Sequence, residues 1–131
     1  MFRDKDTIKG VLICPSNQTI TEVDVVKDDD SFLDSMYRLI DCDTIDVVRD
    51  YLRPFGCSDD LWVDDEALLK SPPVQWGFSL YPRNVANPII GNALVLGVDR
   101  TLGDCTPHTL TADIIQKIRE KIEWCYLVNR K

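Results

Sequence analysis

The chain has 131 residues, 44% apolar and 28% charged, which fits one soluble domain able to bury its own core. Its 22 acidic against 15 basic residues leave a net charge of −7, and this disfavours direct nucleic-acid binding, because a phosphate backbone demands a basic footprint. No apolar stretch approaches the ~18 residues of a membrane span, and the opening "MFRDKDTIKG" is too charged for a signal peptide.

The first element is "IKGVLICP" (Ile8–Pro15), a short apolar run closed by a Pro-Ser-Asn turn. In "TITEVDVV" (Thr19–Val26), Thr21, Val23 and Val25 alternate with Glu22 and Asp24. That period of two predicts a half-buried strand, paired with the first as a hairpin. A helix follows over Ser31–Ile40, with Phe32, Leu33, Met36, Leu39 and Ile40 on one stripe. Asp30 or Ser31 would cap it, and the Asp28–Asp30 run lies at its positive end.

"TIDVVRDYL" (Thr44–Leu52) returns to period two, with Ile45, Val47 and Tyr51 on one face. "RPFGCSDD" reads as a loop, and Leu61–Val63 as a short strand turning over Asp64-Asp65. The proline-rich middle, "KSPPVQWGFSLYPRNVANP", predicts an irregular cover with one helical turn near Phe78–Tyr81. In "NPIIGNALVLG", Pro88 biases Asn87 to extended backbone, and Gly91-Asn92 suits a turn or bulge because both tolerate positive φ. Ala93–Val98 is short, aliphatic and β-branched, the pattern of a strand covered on both faces. "RTLGDCTPHTLT" reads as a loop. Ala112–Asn129 then predicts a helix of roughly 27 Å, capped by Thr111, with Ile115, Ile118, Ile122 and Cys125 on its apolar stripe. Asp113 and Lys117 are placed for an i,i+4 ion pair.

The order of these pieces resembles a known family. The hairpin "IKGVLICP…TITEVDVV", the run "FLDSMYRLIDCDTIDVV", the acidic "LWVDDEALL", then "NPIIGNALVLG" and a late "LTADI" are similar to the family catalogued as domain of unknown function 3846. The likeness spans roughly Thr7 to Ile118, and its most specific piece is Ile89-Ile90-Gly91 followed by Ala93–Gly97. One segment departs: "VQWGFSLYPRN" stands where the family usually carries an asparagine and small residues. The family occurs in phages, large DNA viruses and bacteria, so the resemblance implies a fold and a phage- or virus-like setting. It implies no activity.

Several constellations carry candidate chemistry. The five cysteines are widely spaced with no Cys-x-x-Cys pair, which points to reduced thiols in a cytoplasmic setting. In "CTPH", Cys105 and His108 have the spacing of half a zinc site, which Cys42 or Cys57 would complete. The same pair would also serve as a thiol nucleophile and its base, since His108 is the single histidine. The competing reading is a polar loop beside a buried free cysteine. Asp28–Asp30 lacks the ligand spacing of a calcium loop and reads as a solvated cap.

Asp59, Asp60, Asp64, Asp65 and Glu66 suggest acid/base or metal work if they converge, and otherwise a charged edge that blocks stray strand pairing. Rows of carboxylates would also compete for a basic nucleic-acid-binding partner. Trp62, Trp76 and Phe78 are candidate partner anchors, against the plainer reading that they close the core.

These readings combine into an α+β domain over residues 1–131. A mixed, mainly antiparallel sheet of about five strands packs against a long C-terminal helix, with one shorter helix alongside. The expected role is that of a non-catalytic accessory protein of a phage or large virus. It would bind a protein partner through Asp59, Asp60, Trp62, Asp64, Asp65, Glu66, Trp76 and Phe78. The alternative is a small-molecule, nucleotide or zinc site near Cys105 and His108.

Overall fold

The computed structural model describes residues 7–26, 29–42, 44–66, 75–82, 88–99 and 106–126. β1 (Thr7–Cys14) and β2 (Thr19–Val26) form the expected hairpin, in register from Thr7↔Val26 to Cys14↔Thr19. Gln18, at φ 55°, turns the chain between them. α1 (Asp29–Ile40) begins two residues earlier than expected, so Asp30 and Ser31 lie in its first turn. β3 (Ile45–Arg49) and β4 (Asp59–Asp64) pair across a connection that holds a 3₁₀ turn at Arg53–Phe55. β5 (Trp76–Ser79), β6 (Ile89–Ile90), β7 (Ala93–Asp99) and β8 (Thr106–His108) precede α2 (Ala112–Lys121) and β9 (Glu123–Tyr126).

The main sheet runs β2-β1-β7-β4-β3, with β8 added beside the far end of β7. Every pairing among the described residues is antiparallel, so the expected mixed sheet gives way to an antiparallel one. A second sheet, β6-β5-β9, lies apart from it. The chain crosses from one sheet to the other at Gly91, whose φ of 91° only glycine adopts cheaply. Gly91 N–H bonds the Trp76 carbonyl at 2.9 Å, and the Asn92 side-chain amide donates to the Ile40 carbonyl at 3.1 Å, closing the end of α1.

β7 separates two cores. Leu94 and Leu96 point to one face with Ile8, Val25, Met36 and Ile40, under α1. Ala93 and Val95 point to the other with Val11, Ile13, Leu61, Phe78, Leu80, Ile114, Ile115 and Ile118. That second face is covered by α2 and by the small sheet. No helix among the described residues is long and apolar enough to cross a membrane.

Three expectations are corrected. Phe78–Tyr81 is no helical turn, because Trp76–Ser79 pairs with both β6 and β9. "RTLGDCTPHTLT" is not wholly a loop, because Thr106–His108 pairs with Gly97–Asp99. The C-terminal helix stops at Lys121 instead of running to Asn129, and Glu123–Tyr126 pairs with β5. Ile122, Trp124 and Tyr126 also alternate with period two, and the open edge of β5 decides between the two periods. Thr111 caps α2 as expected, accepting from Ile114 N–H at 3.4 Å.

Gly10 marks where β1 leaves β7. Segment 106–110 enters that fork, bonding β7 on one side while Leu110 N–H bonds the Lys9 carbonyl at 3.1 Å on the other. A Cβ at Gly10 would stand 2.5 Å from Leu96 Cδ2 and 2.7 Å from the Val95 carbonyl oxygen. Gly10→Ala is therefore expected to destabilise the protein by about 1–3 kcal/mol, read as a lower urea midpoint at unchanged slope.

Candidate functional site

The eight residues expected to form one surface are divided by the fold. β4 is no edge, because it lies between β7 and β3. Asp59, Asp60 and Asp64 are buried, and Phe78 is 0% exposed in the core. Only Asp65 and Glu66 are exposed, with Trp62 and Trp76 half-buried. Trp62 lies on the α1 side and meets Phe32 edge-on, with ring centroids 6.4 Å apart. Trp76 belongs to the small sheet and meets Tyr126 at 4.8 Å. The two tryptophans therefore serve different faces.

Two of the buried carboxylates, Asp59 and Asp64, accept backbone amides. Asp59 Oδ1 accepts Leu52 N–H at 2.7 Å, and its own carbonyl accepts Asp50 N–H at 2.9 Å. These two bonds hold the reversal after β3, where Asp50 adopts φ 56° and Gly56 φ 80°. Asp64 Oδ1 accepts Glu66 N–H at 3.0 Å, which fixes the turn leaving β4. The Asp64–Glu66 bond is the ordinary chemistry of an Asx turn, whereas Asp59 reaches back seven residues to clamp the reversal.

A hydroxyl lattice lies within reach of the Asp59 charge. Tyr51 Oη accepts Leu80 N–H at 3.4 Å, and Tyr81 Oη donates to the Tyr51 carbonyl. Ser79 Oγ donates to the Tyr81 carbonyl at 2.6 Å and accepts Tyr81 N–H at 3.1 Å. The Tyr51 and Tyr81 rings meet at 5.1 Å, and Phe55 meets Tyr81 at 5.9 Å. Lys117 Nζ reaches the Phe55 carbonyl at 3.5 Å instead of pairing with Asp113, tying α2 to the same turn. Burial pushes the Tyr81 hydroxyl up from its ordinary 10 to about 12, with the charges of Tyr51 and Asp59 adding to it. Burial also raises Tyr51, against hydrogen bonds from Leu80 and Ser79 that lower it. Sequence reasoning missed this lattice, because nothing local announces that Tyr51 and Tyr81, thirty positions apart, share a bond.

Cys105 lies outside the described residues, as does the His108 side chain; the His108 backbone sits in β8 opposite Gly97. Cys42 packs with the α1-side core and Cys57 with the other, so the main sheet stands between them. They cannot both complete one zinc site. Cys57 Sγ donates to the Ser58 carbonyl at 3.5 Å. Burial and then the Asp59 charge push its thiol up, and burial also raises Cys14, so neither is poised as a thiolate. Among the described residues no three His, Cys, Asp or Glu side chains gather as a metal set.

Two surface features remain. On α1, Leu33 is 49% exposed beside half-buried Phe32, and exposed Asp34 follows. Across the main sheet, an open cleft of about 360 Å³ lies between the end of β5 and the α2–β9 junction, lined by Leu80, Tyr81, Pro82, Lys121 and Glu123.

Two outcomes follow from the lattice. Asp59→Ala should cost about 1–3 kcal/mol in urea unfolding, since it strands the Leu52 N–H. Asp59→Asn keeps an acceptor and should cost less. In a near-ultraviolet absorbance titration, one tyrosine should ionise near pH 12, and Tyr81→Phe should remove that step. The folded value lies above the unfolded one. The resulting stability is therefore complete below pH 10 and falls as pH rises through 12, because the unfolded chain releases the proton first. Asp59→Asn should bring the step to lower pH.

No curated protein and no solved structure matches the chain. The family model for Domain of unknown function (DUF3846) matches residues 8–123, nearly the whole length, with the hairpin, both cores and the Asp59 lattice inside it. On that match, the chain belongs to the DUF3846 family.

Proposed function

We propose that the protein is a non-catalytic accessory protein of a phage or large DNA virus, acting in the host cytoplasm by binding a basic protein partner. The observation that carries this reading is the apolar step on α1. Leu33 stands exposed beside Phe32, and the Phe32 ring meets Trp62 edge-on. Exposed Asp34 borders it on the helix, and the Asp65–Glu66 turn follows Trp62 at the end of β4. An apolar centre with a charged rim is the usual anatomy of a protein interface, and aromatic side chains supply most of its binding energy.

The net charge of −7 favours a cationic partner through long-range attraction. The same charge makes nucleic acid a poor direct partner. A non-catalytic role is supported by the engagement of Asp59 Oδ1, Ser79 Oγ and the Tyr81 hydroxyl with backbone atoms. The viral setting rests on the family's occurrence in phages and large viruses.

The test is affinity capture from host lysate, followed by titration of the captured partner. Leu33→Asp and the pair Asp65→Lys, Glu66→Lys alter exposed positions, so the melting temperature should hold within a few degrees. Each variant should weaken binding by about tenfold or more, and added salt should weaken the wild type. If the wild type retains no macromolecule yet turns over a small molecule, the reading fails.

A further inference from the structure

We propose that the cleft between the end of β5 and the α2–β9 junction is a binding site for a small zwitterion with an apolar body, of the class of apolar α-amino acids. It lies across the main sheet from the α1 surface, so it stands independently of the partner-binding reading. Its walls are Leu80, the Tyr81 ring and Pro82. The Tyr81 hydroxyl is turned inward to the Tyr51 carbonyl, which leaves ring carbon, not a polar tip, for an occupant.

Among the described residues, two supply the charge. Lys121 ends α2 and Glu123 opens β9, two positions later and opposite Ser79 in the register. Both are exposed, and neither side chain makes an ion pair or hydrogen bond among the described residues. One cation and one anion beside an apolar wall match a ligand carrying both charges. They match a simple anion or a simple cation only by half.

Size decides the class. Ligand sites commonly span about 300–1,000 Å³. At about 360 Å³ this cleft sits at the small end, suited to an amino acid rather than a dinucleotide or a folded peptide. Exposed ion pairs are individually weak, so binding should be modest and sensitive to salt.

The experiment titrates the full chain, by nuclear magnetic resonance, with L-phenylalanine, phenylacetate and phenethylamine. The three probes share a ring and differ in charge. L-Phenylalanine should perturb the amides of Leu80, Tyr81, Ile122 and Glu123 in a saturable way. Each half-ligand should bind about fivefold or more weakly. Lys121→Glu and Glu123→Lys should each lower the L-phenylalanine affinity by a similar factor, and the double exchange K121E/E123K should regain most of the loss. Phenylacetate or phenethylamine binding as well as L-phenylalanine would overturn the proposal. So would an unchanged affinity in either single variant, or no saturable shift at millimolar ligand.

Discussion

The structure depends on β7 being covered on both faces. Leu94 and Leu96 need one apolar neighbourhood, and Ala93 and Val95 need another. Burying each large aliphatic side chain contributes about 1.5–3 kcal/mol, so exposing either face would forfeit a sizeable share of a marginal total. One helix cannot meet that demand. α1 closes the first face, and α2 with the three-stranded sheet closes the second. The antiparallel neighbours β1 and β4 satisfy the hydrogen bonds of β7 laterally, and β8 fills the fork that opens at Gly10.

From this arrangement follows the fate of the carboxylates. β4 is held between β7 and β3, and Asp59, Asp60 and Asp64 on it are buried. A buried carboxylate is tolerated only where donors meet it. Asp59 meets the Leu52 amide, and in doing so sets the reversal that brings Tyr51 beneath Tyr81. A run that looks like surface charge in one dimension thereby becomes internal scaffolding. Asp34, Asp65 and Glu66 stay exposed.

The second face has its own consequence. Because β9 pairs with β5, the chain must leave α2 at Ile122 and turn into extended backbone, with φ −66° and ψ 138°. That turn sets Lys121 and Glu123 around the exposed Tyr81–Pro82 corner and creates the cleft. Had the helix continued, the edge of β5 would stand open and the cleft would lack its charged rim.

Local pattern by itself determined much of this protein. The hairpin of β1 and β2, the amphipathic α1, the Thr111 cap and the two-faced β7 were all legible, because each is encoded by side chains within a few positions of one another. The family was legible too, from the order of those pieces. Tertiary structure alone decided the rest. Ile115, Ile118, Ile122 and Cys125 satisfy a helical period while Ile122, Trp124 and Tyr126 satisfy an extended one, and only the waiting edge of β5 separates them. Likewise, Asp59 reads as surface charge until β7 and β3 flank its strand, and Tyr51 finds Tyr81 only after two sheets have closed on one core. Burial and long-range pairing are properties of neighbours distant in the chain, so a local period cannot report them.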